Sequence, residues 1–157
     1  MASINPPVCD FGWQAPHFSL PNFNDHMVAL HAAKGKNGLL VMFICNHCPY
    51  VKAILPRLIN DVRELQVLGV NTVAIMSNDA SEYPEDSVEN MQIIARVMDF
   101  PFPYLLDASQ QVAKKYGAVC TPDFLVLTIN CSCNIAAVLT KAAKKLHPIA
   151  RATCSRR

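Results

Sequence analysis

Gly38-Leu39-Leu40-Val41-Met42-Phe43-Ile44-Cys45-Asn46-His47-Cys48-Pro49-Tyr50-Val51-Lys52 is the stretch on which the reading of this chain turns. Leu39 to Ile44 is apolar at every position and too short for a helix, so it reads as a strand buried on both faces. Pro49 stands where a first helical turn tolerates proline. Val51, Ile54, Leu55, Leu58, Ile59, Val62 and Leu65 then follow at helical spacing. Pro56 falls inside that helix and should kink it, having no N–H to give and a ring that crowds the preceding turn. Between strand and helix stand Cys45 and Cys48. Two residues between cysteines on a first turn let the sulfurs meet, and the helix's unpaired N–H groups and positive dipole end favour thiolate. A protonated His47 would add to this. The chemistry expected of such a pair is thiol–disulfide exchange.

Working outward, Phe18-Ser19-Leu20 and Met27-Val28-Ala29-Leu30 alternate around Asn22-Phe23-Asn24-Asp25, which predicts a hairpin ahead of the central strand. Asn71 to Ser77 reads as a second buried strand and Ser87 to Met98 as a helix with Met91, Ile94, Ala95 and Met98 on one face. Pro103 to Leu106 is a short strand, Ser109 to Tyr116 a short helix closed by Gly117, and Phe124 to Leu127 a further strand. Such alternation implies a largely parallel sheet covered on both faces, with Cys45 and Cys48 at the carboxyl end of a central strand. The aromatic and methionine residues of Phe100 to Tyr104 read as core.

The 157 residues leave room for one domain, and 52% apolar against 17% charged residues is a globular composition. The apolar run Gly38 to Ile44 is too short to span a bilayer. Met1 to Leu20 has no basic and apolar leader pattern, so the expected compartment is the cytoplasm, where disulfides are transient and catalytic. Charge is uneven. Residues 1–128 carry a net −4, while residues 129–157 carry +6 with no acid and hold Cys131, Cys133 and Cys154. That shift marks 127–157 as an atypical basic tail behind a redox domain of residues 1–126.

The rival to a redox pair is half of a zinc site with His47 as third ligand. No second C-x-x-C and no H-x-x-x-H precedes residue 128, so no metal and no cofactor is expected. Cys120 is either a third redox thiol or, the favoured reading, a small buried filler. Asp123 either relays protons to Cys48 or, as favoured, is an exposed or capping carboxylate. Lys52 reads as a solvated lysine, Tyr50 as packing beside the site, and Cys9 as incidental.

The central stretch resembles thioredoxin-like proteins of the AhpC/TSA (peroxiredoxin-like) group that carry a CNHCPYVK active-site signature. So do Ala74-Ile75-Met76-Ser77-Asn78-Asp79, Tyr83-Pro84-Glu85-Asp86-Ser87, Pro101 to Asp107 and Thr121-Pro122-Asp123-Phe124. The resemblance spans residues 11–126. It implies an α/β thioredoxin-like fold with a central mixed sheet flanked by helices and the hairpin as an N-terminal extension. It also implies that Cys45 attacks and Cys48 resolves, with Asn46, His47, Pro49, Tyr50, Thr121 and Pro122 in support. Thr121-Pro122 looks like the cis-proline loop that packs beside the disulfide and pairs with substrate backbone. The implied partners are protein or small-molecule disulfides and thiols, with a reductant still to be identified, and neither nucleic acid nor membrane.

Peroxide reduction is the alternative activity, and metal carriage by Cys45 and Cys48 a third. Peroxiredoxins typically use P-x-x-x-[TS]-x-x-C with a distant arginine. With Cys48 as that cysteine, Cys45 takes the Thr/Ser place and Val41 the proline place, and Thr121-Pro122 stands where the arginine is expected. After Val126 the resemblance stops. Leu127 to Cys131 can be encoded TTG ACA ATC AAC TGC, and one restored T reads Phe-Asp-Asn-Gln-Leu. With permitted codons the frame continues to YRGRFDESR, which resembles the family's hairpin strand after the cis-proline strand. Residues 127–157 are therefore expected to be out of frame, with the last strand and helix lost or replaced. A genuine tail is the other reading, with Asn134 to Leu146 able to form a helix on propensity. Sequencing the gene around codon 127 separates the two.

Overall fold

The computed structural model describes residues 12–138, with side chains described for residues 12–133. A two-stranded antiparallel hairpin, β1 (Ser19–Pro21) and β2 (Met27–Ala29), leads into a short helix, α1 (Leu30–Ala33). Then come β3 (Gly38–Phe43), α2 (Pro49–Val67), β4 (Val70–Met76), a single 3₁₀ turn (Pro84–Asp86), α3 (Val88–Val97), β5 (Tyr104–Leu106) and α4 (Gln111–Tyr116). The described chain closes with β6 (Asp123–Leu127) and β7 (Cys133–Val138).

The large sheet has the order β5-β4-β3-β6-β7. β3 pairs in parallel with β4 and antiparallel with β6, so both of its ladders are filled, and all six of its residues are buried. That double burial is why its sequence shows no alternation. Alternation survives in where the side chains go. Leu39, Val41 and Phe43 enter one core with Phe18, Leu30, Ile75 and Tyr116, while Leu40, Met42 and Ile44 enter another with Val51, Leu55, Ile59 and Met91. The first core lies under the hairpin and α4, the second under α2 and α3. Each fully buried Leu, Ile or Met contributes about 1.5–3 kcal/mol, so the two cores anchor β3 from both faces.

The parallel arrangement holds only for β3, β4 and β5; β6 and β7 run antiparallel, giving the mixed sheet that the resemblance implies. α2 presents Val51, Leu55, Ile59 and Val62 to the core and keeps Pro56 on its exposed side, so the helix continues through the proline. α3 starts at Ser87, whose hydroxyl accepts from the Asn90 N–H at 3.3 Å, and α4 ends on Gly117 at φ +69°.

Of the two outcomes expected for the last strand, loss or replacement, loss is not what is found. Cys133–Val138 forms β7 and pairs antiparallel with β6, with a register shift between Val126 and Leu127. Thr128–Ser132 makes the turn, in which the Ser132 carbonyl accepts from the Thr128 N–H at 2.9 Å and the two hydroxyls bond at 2.7 Å. The start of the alternative helix, Asn134 to Leu146, is strand as far as Val138, and the rest of that span lies outside the described residues, as do the last helix's place, Cys9 and Cys154. Tertiary pairing overrides propensity here: β6 offers an open ladder, and Ile135 and Val138 suit a strand. No helix among the described residues is long and apolar enough to cross a membrane.

Candidate active site

Cys45 and Cys48 lie in the turn between β3 and α2, at the carboxyl end of the central strand. The turn departs from a helical first turn: α2 begins at Pro49 and Cys48 is its N-cap, with φ −62° and ψ 120°. The Cys48 carbonyl accepts the first helical bond, from the Lys52 N–H at 3.0 Å. Both thiols meet the same residue of the opposite loop. Cys45 Sγ lies 3.1 Å from Thr121 Oγ1, and Cys48 Sγ donates to the Thr121 carbonyl at 3.5 Å. The Thr121–Pro122 peptide bond is cis. Cys45 is 1% exposed and Cys48 8%.

A polar scaffold holds this turn from behind. Asp86, fully buried, accepts on Oδ1 from the Asn46 N–H at 2.7 Å and the His47 N–H at 3.2 Å. On Oδ2 it takes the Asn78 amide at 2.8 Å and His47 Nδ1 at 2.6 Å. A carboxylate can only accept, so Nδ1 carries the shared hydrogen. The His47 ring stacks on Tyr83 with centroids 4.4 Å apart. Asn46 is buried; its amide donates to the Glu85 carbonyl and its oxygen accepts from the Tyr104 hydroxyl, both at 3.0 Å. Burial, with the Cys45 and Asp86 charges, pushes the Tyr104 hydroxyl far above its ordinary range, so it remains a donor.

The electrostatics correct the expected thiolate bias. Burial pushes the Cys45 thiol up, the bonds from Thr121 and the Cys48 backbone pull it down, and the Asp86 and Cys48 charges push it up again, for a net rise. His47 is committed to Asp86, whose negative charge faces the thiol. Burial likewise pushes the Asp86 carboxyl up, but the bonds from Asn78, His47 and the Asn46 and His47 backbone outweigh it and hold it below its ordinary value.

Cys45, His47 and Asp86 bring one sulfur, one nitrogen and one oxygen within 4.8 Å of one another, a spacing that suits a metal. The bonds already made argue otherwise. All four lone-pair positions of Asp86 are taken by donors, and a cation would have to displace them. Within the cluster, His47 and Asp86 form a hydrogen-bonded pair, and Cys45 bonds instead to Thr121.

Beside the pair opens a cleft of about 460 Å³, lined by His47, Cys48, Pro49, Tyr50, Asn78, Tyr83, Lys114, Cys120 and Thr121 among others. Of the expected support, Tyr50 and Pro49 stand exposed on its rim, while Asn46 is built into the wall behind it. Lys52 is exposed, as expected. Two readings change. Cys120 is exposed in the cleft wall and no filler, because it falls in the loop between α4 and β6 rather than on either element. Asp123 is 2% exposed, since it opens β6 directly opposite Phe43; burial pushes its carboxyl up to about 6, against one bond from the Phe124 N–H. Asp86, Asn78 and Tyr83 carry no local signal in the sequence, and Tyr104, which reads there as core, is buried as that reading expects. All four fall in the segments that carry the resemblance, but nothing local tells that they converge behind Asn46 and His47.

Comparison with known proteins agrees with the fold. An uncharacterized conserved protein from Geobacillus kaustophilus is 40% identical, over 95% of this chain and 80% of that one, with a TM-score of 0.85. A hypothetical protein from Sinorhizobium meliloti is 35% identical over 92% of this chain and 78% of its own, at 0.80. A secreted Mycobacterium tuberculosis disulfide oxidoreductase homologous to E. coli DsbE shares the fold at 18% identity, with a TM-score of 0.62 over 74% of this chain and 80% of its own. No curated protein matches the chain. The AhpC/TSA family profile matches residues 11–143, running past Val126, and on that match the chain belongs to the AhpC/TSA family, with a thioredoxin-like fold.

Proposed function

We propose that this protein is a thiol–disulfide oxidoreductase in which Cys45 and Cys48 cycle between dithiol and disulfide. A redox function is common ground for the family and its thioredoxin-like neighbours. The finer reading rests on one observation, the contact of both thiols with the two faces of Thr121, at 3.1 Å to its hydroxyl and 3.5 Å to its carbonyl. That convergence sets both sulfurs against one residue of the cis-proline loop. In the reading, the Cys45 thiolate attacks a substrate disulfide, leaving a mixed disulfide and one substrate thiolate, and Cys48 then attacks Cys45 to release the second. Substrates are protein or small-molecule disulfides, and a dithiol reductant returns the pair to its starting state.

Peroxide reduction fits the residues less well, since no arginine lines the cleft among the described residues. The test is equilibration of purified protein with glutathione buffers, read by mass, beside insulin reduction and peroxide consumption. A two-electron couple is expected, its Cys45–Cys48 linkage absent from both Cys45→Ser and Cys48→Ser, with insulin reduced and peroxide spared. Cys48→Ser should accumulate partner adducts and Cys45→Ser should not; the reverse moves attack to Cys48. Because burial and Asp86 disfavour the Cys45 thiolate, the potential is expected at or below about −270 mV, the thioredoxin value.

A further inference from the structure

The paired thiols lie below the surface of the protein. Cys45 is sealed, Cys48 is nearly so, and the one exposed cysteine among the described residues is Cys120. We propose that Cys120 is a third redox thiol, which exchanges with the Cys45–Cys48 disulfide at the Cys48 sulfur and carries the disulfide to the protein surface. The proposal rests on the cycling of the pair argued above and adds the route by which the reductant reaches it.

The geometry has three parts. Cys48 and Cys120 line the same cleft, whereas Cys45 does not. Cys48 Sγ already bonds to the carbonyl of Thr121, the residue joined to Cys120, and adjacent Cα atoms stand about 3.8 Å apart. Ala118 to Pro122 lies outside every helix and strand, so this loop adjusts without breaking a ladder, which matters because a disulfide needs its Cα atoms within about 4.4–6.8 Å. Electrostatics agree. Partial burial pushes the Cys120 thiol up, and the charges of Asp123 and Cys48 push it further. Once Cys48 is in a disulfide its charge is gone, and the Cys120 thiolate becomes easier to form at the stage when it is needed.

The step balances without any outside oxidant. The Cys120 thiolate attacks the Cys48 sulfur; the Cys48–Cys120 bond forms as the Cys45–Cys48 bond breaks. Cys45 leaves as thiolate and takes up the proton that Cys120 gave. One disulfide remains throughout, now open to attack by a reductant thiol at Cys120.

Disulfide mapping of the full chain tests this. Wild-type protein equilibrated across a series of glutathione potentials is expected to contain both Cys45–Cys48 and Cys48–Cys120 linkages, in a ratio that does not vary with potential, because their exchange is intramolecular. Cys45→Ser oxidised with glutathione disulfide is expected to yield Cys48–Cys120. Cys120→Ser, an exposed and nearly isosteric change, is expected to slow reduction by a protein dithiol by about tenfold or more. Wild type with only Cys45–Cys48, or Cys45→Ser with Cys48 glutathionylated and Cys120 unlinked, or an unchanged rate in Cys120→Ser, overturns the relay while leaving the pair's own cycle standing. A wild type that forms no disulfide at Cys45 overturns the parent reading instead.

Discussion

Asp86 and Asp123 are both buried, yet their carboxyls are driven in opposite directions. Asp86 collects four hydrogen bonds from three residues and sits below its ordinary range, while Asp123 has one bond, from its own neighbour's N–H, and rises to about 6. Burial acts the same way on each; the number of donors decides the sign. Asp86 is thus a permanent charge that organises the turn, and Asp123 a carboxyl that changes state near physiological pH.

The largest effect expected from breaking this contrast is at Asp86. Asp86→Ala strands two backbone N–H groups, the Asn78 amide and the His47 ring, and is expected to cost about 3–5 kcal/mol in urea unfolding. A loss under about 1 kcal/mol would mean that water replaces the carboxylate and the scaffold account fails. Asp123→Asn should do the opposite. With a folded value near 6 against about 3.9 unfolded, the folded state holds the proton more tightly, so stability falls as pH rises from about 4 to 6 and stays lowered above. The asparagine variant is expected to lack that slope and to gain on the order of 2 kcal/mol at pH 8, as read from paired urea titrations at pH 4 and pH 8.

The two carboxyls also act on different thiols. Asp86→Asn is expected to lower the Cys45 pKa, and Asp123→Asn that of Cys120, each followed by the pH dependence of alkylation at the named cysteine. Crossed effects, with Asp86 governing Cys120, would dissolve the distinction between a buried and a surface thiol. The smallest effect is that of Tyr83→Ala, which removes the ring stacked on His47 and should cost about 0.5–1.5 kcal/mol while leaving the His47–Asp86 bond visible by nitrogen NMR.

Much of this architecture is legible without coordinates because periodicity records burial. β3, β4 and the buried face of α2 show in the apolar pattern, and the cysteine pair stands out by its position between strand and helix. Asp86 does not show. Its donors come from Asn46, His47 and Asn78, and nothing near Pro84-Glu85-Asp86 in the chain signals that they meet there. Cys120 and Asp123 mislead for a related reason: whether a side chain at a loop–strand junction faces the cleft or the core depends on register, and that of β6 against Phe43 is set by β3. β7 was unreadable because Cys133-Asn134-Ile135-Ala136-Ala137-Val138 is permissive for helix and strand alike until β6 offers it a ladder.

The seam that joins the two ends of the described chain has a consequence for how this protein is made. Gly12 and Ala15 donate their N–H groups to the Cys133 and Cys131 carbonyls at 3.1 and 2.8 Å, and the Cys133 N–H donates back to Trp13 at 2.8 Å. Trp13 also packs edge-on against Tyr116, with centroids 5.5 Å apart. None of these partners exists when Trp13 leaves the ribosome. At about 5–20 residues per second, the segment waits on the order of ten seconds for residues 116–133 to be synthesised. Through that interval the face of β3 bearing Val41 and Phe43 lacks the wall that Tyr116 completes. A nascent chain therefore leaves this apolar face open until synthesis reaches residues 116–133, and the seam cannot close before then.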